Sequence, residues 1–78
     1  MPTIFFARDG FRFFFYSNDH KPIHVHVRKG DGEAVFEVGD SVALRESVGL
    51  KTGELGIAEF LAFEHKELII TKWHEYFD

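Results

Sequence analysis

The sequence predicts an α+β fold, in which an antiparallel meander sheet of about five strands carries one long C-terminal helix on one face. Short aromatic or alternating apolar segments follow one another through the first 46 residues, and residues that favour turns separate them. A single long helical pattern comes after them. Because the chain has 78 residues, of which 45% are hydrophobic, we expect one domain over residues 1–78.

The first two predicted strands, residues 3–8 and 11–16, form a hairpin. The Asp-Gly pair between them is a two-residue turn signal, because both residue types tolerate positive φ. The register that this turn predicts places Phe6 opposite Phe13 and Ile4 opposite Phe15.

Three more strands are predicted at residues 23–28, 33–38 and 41–46, with glycine-rich turns between them. Pro22 fits the first position of the third strand, where its missing N–H costs little. In the fourth strand, the alternation puts Ala34, Phe36 and Val38 on one face.

The helix is predicted from Glu54 to Phe77, with Thr52 as its N-cap. At 100° per residue, one side collects the apolar residues Ile57, Ala58, Leu61, Ala62, Leu68, Ile69, Trp73 and Tyr76. His65 lies near the middle of this apolar side, whereas His74 lies on the polar side.

Composition and charge restrict the function. The absence of cysteine excludes disulfides and thiolate chemistry. The net charge of −4 argues against a general nucleic-acid-coating role, so nucleic acid is expected only as a substrate or through a local basic patch. Five of the nine basic residues form such a patch in the first 29 positions: Arg8, Arg12, Lys21, Arg28 and Lys29.

No apolar run is long enough to span a membrane, and we expect a cytoplasmic protein.

The aromatic residues exceed what one helix on one sheet face can cover. The chain has ten Phe, one Trp and two Tyr, and the surplus falls on both faces of the first hairpin. We therefore expect a protein partner or a homodimer to pack on the aromatic sheet face that the helix leaves open.

Three of the five histidines, His20, His24 and His26, lie within seven positions. Residues i and i+2 of a strand project from the same face about 7 Å apart, so His24 and His26 can share one metal ion. The third ligand would be His20 or Asp19 from the preceding loop, or His65 from the helix. A divalent transition metal such as zinc, held by three ligands with an open position, activates water, which predicts a hydrolase.

Other interpretations of the same histidines stay open. A neutral and a protonated imidazole can cleave a phosphodiester without metal, with Arg12, Lys21 or Arg28 holding the phosphate. The histidines can also bind an anionic or aromatic ligand, or only fix the loop through hydrogen bonds. The interpretations differ in which face of the third strand packs against the helix. Two β-branched residues, Val25 and Val27, favour burial of the valine face there.

The chain resembles a family of small bacterial proteins, the domain of unknown function 4160 family. The matching positions are the N-terminal Met-Pro-Thr-Ile, then Asp19, His20, Pro22, His24, His26 and Val27, and in the helix His65, Glu67, Leu68 and Trp73. Ile23 and Val25 depart from the family's usual Pro and Phe. The "LRESVGLKTG" connection also differs from the family's usual entry into the helix. The helix here ends with the chain, whereas many relatives have a further short strand after it.

The resemblance implies no established activity. It implies a place beside a second small gene, in an arrangement similar to a toxin–antitoxin or regulatory pair, and it joins His65 to His24 and His26 in one signature. We therefore expect an interaction or regulatory component of a two-gene module. The alternative is a small histidine-dependent hydrolase acting on RNA or another phosphodiester, with His24, His26 and His65 as catalytic residues.

Overall fold

The five-stranded antiparallel meander that the sequence predicts is confirmed by the structure. The structure is a computed structural model that describes residues 2–16 and 18–77, with side chains from residue 6 onward. The strands are β1 (Pro2–Arg8), β2 (Phe11–Tyr16), β3 (His24–Lys29), β4 (Gly32–Val38) and β5 (Val42–Val48), and they lie in the sheet in chain order. Each strand pairs antiparallel with the next, and the predicted bounds differ from these by at most two residues.

The first hairpin has the predicted turn but a different register beyond it. Asp9 and Gly10 both have positive φ, 54° and 85°, which are the dihedral signs of a type I′ turn. Phe6 pairs with Phe13 as predicted, but a β-bulge between Ile4 and Phe6 moves Ile4 opposite Phe14 instead of Phe15. An inserted residue of this kind leaves no signal in the alternation pattern of an all-apolar strand.

The core lies between one sheet face and the helices, on the side where β3 places its valines. It consists of thirteen buried residues: Phe11, Phe13, Phe15, Val25, Val27, Ala34, Phe36, Val38, Ala58, Leu61, Ala62, Ile69 and Trp73. The predicted alternation of β4 and the burial of the valine face are therefore confirmed. The opposite side of the sheet is called the open face below.

The prediction of one long helix is wrong, because the helical segment divides into α1 (Thr52–Glu64) and α2 (Lys66–Phe77). At His65 the backbone leaves helical geometry, with φ −113° and ψ 22°. The imidazole Nδ1 of His65 donates a hydrogen bond to the carbonyl of Leu61 at 3.0 Å, so it shares the acceptor that its own backbone N–H uses. A side chain that bonds back to the i−4 carbonyl favours a local bend.

The predicted N-cap is also wrong by one residue. Lys51 occupies the N-cap and Thr52 is the first helical residue. The backbone N–H of Lys51 donates to Glu54 Oε1 at 2.9 Å, so the glutamate side chain of the first turn satisfies the backbone N–H of the N-cap residue. Neither helix in the described part of the chain is long and apolar enough to cross a membrane.

The open face exposes less aromatic surface than the sequence predicts. On the open face, Phe14 is only 3% exposed, and its ring contacts those of Tyr16 and His26. The side chain of Phe5 lies outside the described residues. Among the large hydrophobic side chains that the structure leaves exposed, Val48 lies on the open face, opposite Glu33, and the others lie elsewhere: Leu44, Ile57, Phe60, Phe63 and Tyr76. Association through the aromatic sheet face thus stays a prediction.

Two glycines test how closely the start of β4 packs against Gly49, the residue after β5. A Cβ at Gly32 would lie 2.8 Å from the Gly49 carbonyl oxygen, whereas a Cβ at Gly56 in α1 would meet nothing within 4 Å. We expect Gly32→Ala to lower the free energy of unfolding by about 1–3 kcal/mol, since backbone must move. Gly56→Ala, the matched control, should raise it by about 0.5–1 kcal/mol, because alanine favours a helix interior. Urea unfolding measures both, and an unchanged stability of Gly32→Ala would contradict the close approach.

Candidate metal centre

The candidate site lies where β2 and β3 move apart. Their pairing ends at Phe14 and His26, so His24 at the start of β3 lies beyond the last paired residues. The connecting loop brings Asp19 into this opening. Two hydrogen bonds fix Asp19 to the end of β2: its N–H donates to the Tyr16 carbonyl at 3.1 Å, and its Oδ2 accepts from the Tyr16 N–H at 2.9 Å.

The divergence of the strands gives the two strand histidines different surroundings. His26 lies on the open face, its ring stacked on Phe14 at 5.5 Å between centroids and edge-on to Tyr16 at 4.6 Å. His24 has the same strand parity, yet its ring lies 5.3 Å from that of Trp73 in α2. The two imidazoles remain close, with centroids 5.2 Å apart, and His24 is only 6% exposed.

Both imidazoles turn the same nitrogen toward one carboxylate oxygen. Asp19 Oδ1 lies 3.2 Å from His24 Nε2 and 3.3 Å from His26 Nε2. The three potential ligand atoms all lie within 4.8 Å of one another. Asp19, His24 and His26 are called the Asp-His-His cluster from here on.

The protonation of His24 follows from its second nitrogen. Nδ1 lies 2.8 Å from the Pro22 carbonyl oxygen, which only accepts, so Nδ1 carries the proton. In the neutral ring, Nε2 then presents a lone pair to Asp19 Oδ1, and two acceptors do not attract each other. The contact becomes favourable either when the ring takes up a second proton or when a cation binds both atoms. A backbone carbonyl on the far nitrogen is also the usual partner of a metal-bound histidine.

His26 has an unsatisfied nitrogen. Its Nδ1 is buried and has no hydrogen-bond partner in the described structure, and Glu33 Oε2 lies 3.8 Å away. When Nε2 binds a cation, Nδ1 must carry the ring proton. Glu33 in β4 is the carboxylate placed to accept it after a small side-chain rotation.

Two of the three separations within the cluster fit a metal ion, and the third, between the ligand nitrogens of the two histidines, is no longer than 4.8 Å. Two ligand atoms on a tetrahedral zinc ion, with bonds of about 2.0–2.1 Å, lie about 3.3 Å apart. The separations from Asp19 Oδ1 to the two Nε2 atoms, 3.2 and 3.3 Å, match this value. One carboxylate and two imidazoles are a donor set that suits zinc and other first-row divalent metals, and they leave at least one coordination position open.

The other histidines that the sequence nominated do not join the cluster. His65 is half-buried and its ring packs on Phe6, with centroids 4.3 Å apart. His20 is exposed in the loop, beside a cavity that Asp19 also lines. Neither belongs to the group of described residues whose ligand atoms converge.

The nominated anion-binding residues separate into two places. Lys21 lines the same cavity as His20. Arg12 and Arg28 are directly paired across β2 and β3, and both are exposed on the open face. This pair lies two residues along each strand from the Phe14–His26 pair.

Sequence reasoning named Asp19 only as one of three choices for the third ligand, and it missed Glu33 and the contact of His24 with Trp73. The signal for Asp19 was its position in the loop before the histidine strand. Glu33 was detectable only from the register, because it pairs with Arg28 across β3 and β4 and thus lies diagonal to His26.

Comparison with known proteins supports the resemblance and adds no activity. Neither the functionally curated proteins nor the solved structures contain a significant match to the chain. The family model described as "Domain of unknown function (DUF4160)" matches residues 10–74, which include the whole Asp-His-His cluster. The chain therefore belongs to the DUF4160 family.

Proposed function

We propose that this protein binds a divalent transition metal, such as zinc, at the Asp-His-His cluster. The observation that carries the proposal is the approach of both Nε2 atoms to Asp19 Oδ1 at 3.2 and 3.3 Å, with the far nitrogen of His24 already bonded to a backbone carbonyl. His26 Nε2 can donate a hydrogen bond to Asp19 Oδ1, whereas Nε2 of neutral His24 and Oδ1 of Asp19 are two acceptors that face each other, and a cation between these two atoms removes that conflict.

The chemistry of such a centre is hydrolytic. Three protein ligands leave a position for water, and zinc brings the bound water close to ionisation at neutral pH. Asp19 is held by Tyr16 and His24 by Pro22, so the protein fixes two of the ligands before the metal arrives. The proposal thus retains the hydrolase alternative, with Asp19 in the place that the sequence assigned to His65.

Metal binding is directly measurable on protein purified without a histidine tag. We expect one zinc ion per chain and, at a free zinc concentration of 100 times the Kd, a gain of about 2.7 kcal/mol in the free energy of unfolding. Asp19→Asn should weaken zinc binding by about 100-fold or more, because the neutral amide can keep the contact with Tyr16 but is a poor ligand. Elemental analysis measures the stoichiometry, calorimetric titration measures the affinities, and urea unfolding with and without zinc measures the gain in the free energy of unfolding.

The matched control is His74→Ala, which removes an exposed imidazole of α2 that is not part of the cluster. Its zinc affinity should equal that of the natural sequence, whereas His24→Ala and His26→Ala should each lose binding. A protein that binds no zinc, cobalt or nickel would contradict the proposal. The Asp-His-His cluster would then be available for metal-free acid–base chemistry.

A second candidate function is protein association, as expected for a component of a two-gene regulatory module. The exposed apolar side chains of α1 favour it: Ile57, Phe60 and Phe63 are 48%, 60% and 52% exposed. Phe60 and Phe63 border a groove that also includes Val42 at the start of β5. Two half-exposed aromatic rings on one helix are typical of contact surfaces.

We expect the double variant Phe60→Ser, Phe63→Ser to reduce self-association or binding to the product of the neighbouring gene by at least about 30-fold, as the loss of two aromatic anchors predicts. Glu75→Ser on α2, an exposed position that does not line this groove, is the matched control and should have no effect. Light scattering coupled to size-exclusion chromatography measures both interactions. Wild-type protein that stays monomeric and binds no product of the neighbouring gene would argue against this function.

A further inference from the structure

We propose that β5 is the contact strand of a homodimer, in which two copies of the chain join their sheets by antiparallel pairing of β5 with β5. The inference rests on the association function proposed above and names the partner as a second copy of this chain. β5 lies at one end of the strand order, so it pairs only with β4 in the described sheet. Its residues from Ala43 to Val48 are all exposed. The outer edge of β5 therefore presents backbone N–H and C=O groups that another strand can pair with.

A β-bulge in β5 places two neighbouring charges on the same side of the sheet. The pairing of β4 with β5 shifts between Val35 and Phe36, so Arg45 is the extra residue of β5. Its Nε lies 3.9 Å from Oε2 of Glu37 on the open face. Glu46 also projects from the open face, because it pairs with Val35. Bulges commonly keep an edge strand from pairing, but this one gives the edge an adjacent cation and anion that can match a second copy.

A two-fold axis between Arg45 and Glu46 matches both the charges and the faces of the two strands. It pairs Arg45 of each copy with Glu46 of the other, which gives two ion pairs on the open face. The neighbouring pair joins Leu44 to Ser47, and both lie on the helix side of the sheet because their partners in β4 belong to the core. Directly opposed residues of antiparallel strands project from the same face, as this register requires. A shift that places Arg45 opposite itself brings like charges together and pairs Leu44 with Glu46 from the other face.

The same register covers apolar side chains that the single chain leaves in water. Val48 is 75% exposed, and it meets Ala43 of the second copy on the open face. Leu44 is 46% exposed although it lies on the helix side, and the second strand covers it there. The groove of Phe60 and Phe63 lies at the start of β5, so the two-fold axis places one such groove at each end of the contact. Apolar burial supplies the affinity, and the charge pairs fix the register.

Charge reversal tests the register with two variants that each fail alone and pair with each other. Arg45→Glu places two carboxylates at each contact, and Glu46→Arg places two guanidinium groups there. We expect each variant to raise the dissociation constant of its homodimer by about tenfold or more. An equimolar mixture restores opposite charges at both contacts, so it should form a heterodimer with an affinity near that of the natural homodimer. Analytical ultracentrifugation measures all three constants, and recovery in the mixture shows that both variants fold.

Arg12→Glu is the matched control, because it makes the same charge change at an exposed position of β2, outside the contact strand. Its dissociation constant should equal that of the natural homodimer. Natural protein that stays monomeric at submillimolar concentration would overturn the inference. A dimer that Arg45→Glu does not weaken, or a mixture of the two variants that does not recover, would overturn it as well.

The outcomes separate this inference from the proposed functions. Monomeric protein that binds the product of the neighbouring gene overturns the homodimer and leaves the association function intact. A dimer that is weakened by the double variant Phe60→Ser, Phe63→Ser but not by Arg45→Glu keeps association through the α1 groove and overturns pairing through β5. Zinc binding is a separate measurement, because the Asp-His-His cluster lies on β3 and the loop before it.

Discussion

The site depends on the sharing of one carboxylate oxygen, Asp19 Oδ1, by two imidazoles. Asp19 reaches this position because β2 and β3 stop pairing at Phe14 and His26, and because Tyr16 binds both the backbone and the side chain of Asp19. Without the divergence, His24 would project from the open face beside His26 and would not reach Trp73. The end of one strand ladder thus creates the opening, and the loop fills it with the third ligand atom.

The helical layer supports this arrangement from the other side of the sheet. Trp73 packs against Phe15 and Phe77 within the core, and its ring also contacts His24. The valine face of β3 fixes the strand against the helices, which determines where its histidines project. Packing of the core and geometry of the cluster are therefore coupled through two elements, β3 and α2. A change in the position of α2 would therefore change the surroundings of His24.

Much of the fold could be predicted from the sequence because its signals are local. The Asp9-Gly10 pair predicts the turn, the alternation in β4 predicts its buried face, and the two valines predict the buried face of β3, each from only a few residues. The bulge near Ile4 could not be predicted because an inserted residue leaves no signal in an all-apolar strand. The bend at His65 could not be predicted because it accompanies a side-chain hydrogen bond that leaves the apolar pattern unchanged. The pairing of His24 with His26 followed from strand alternation. Their third partner did not, because a loop residue has no periodicity, and the structure brings Asp19 rather than His65 to the cluster.

The most direct test of the central claim is long-range ¹H–¹⁵N NMR of the five histidine side chains during zinc titration. The shared-oxygen geometry predicts that the Nε2 resonances of His24 and His26 shift together to metal-bound values at one equivalent of zinc. Both rings should then carry their proton on Nδ1, while His20, His65 and His74 keep their spectra. A response from His65 or His20 in place of His24 or His26, or no response from any ring, would contradict the account.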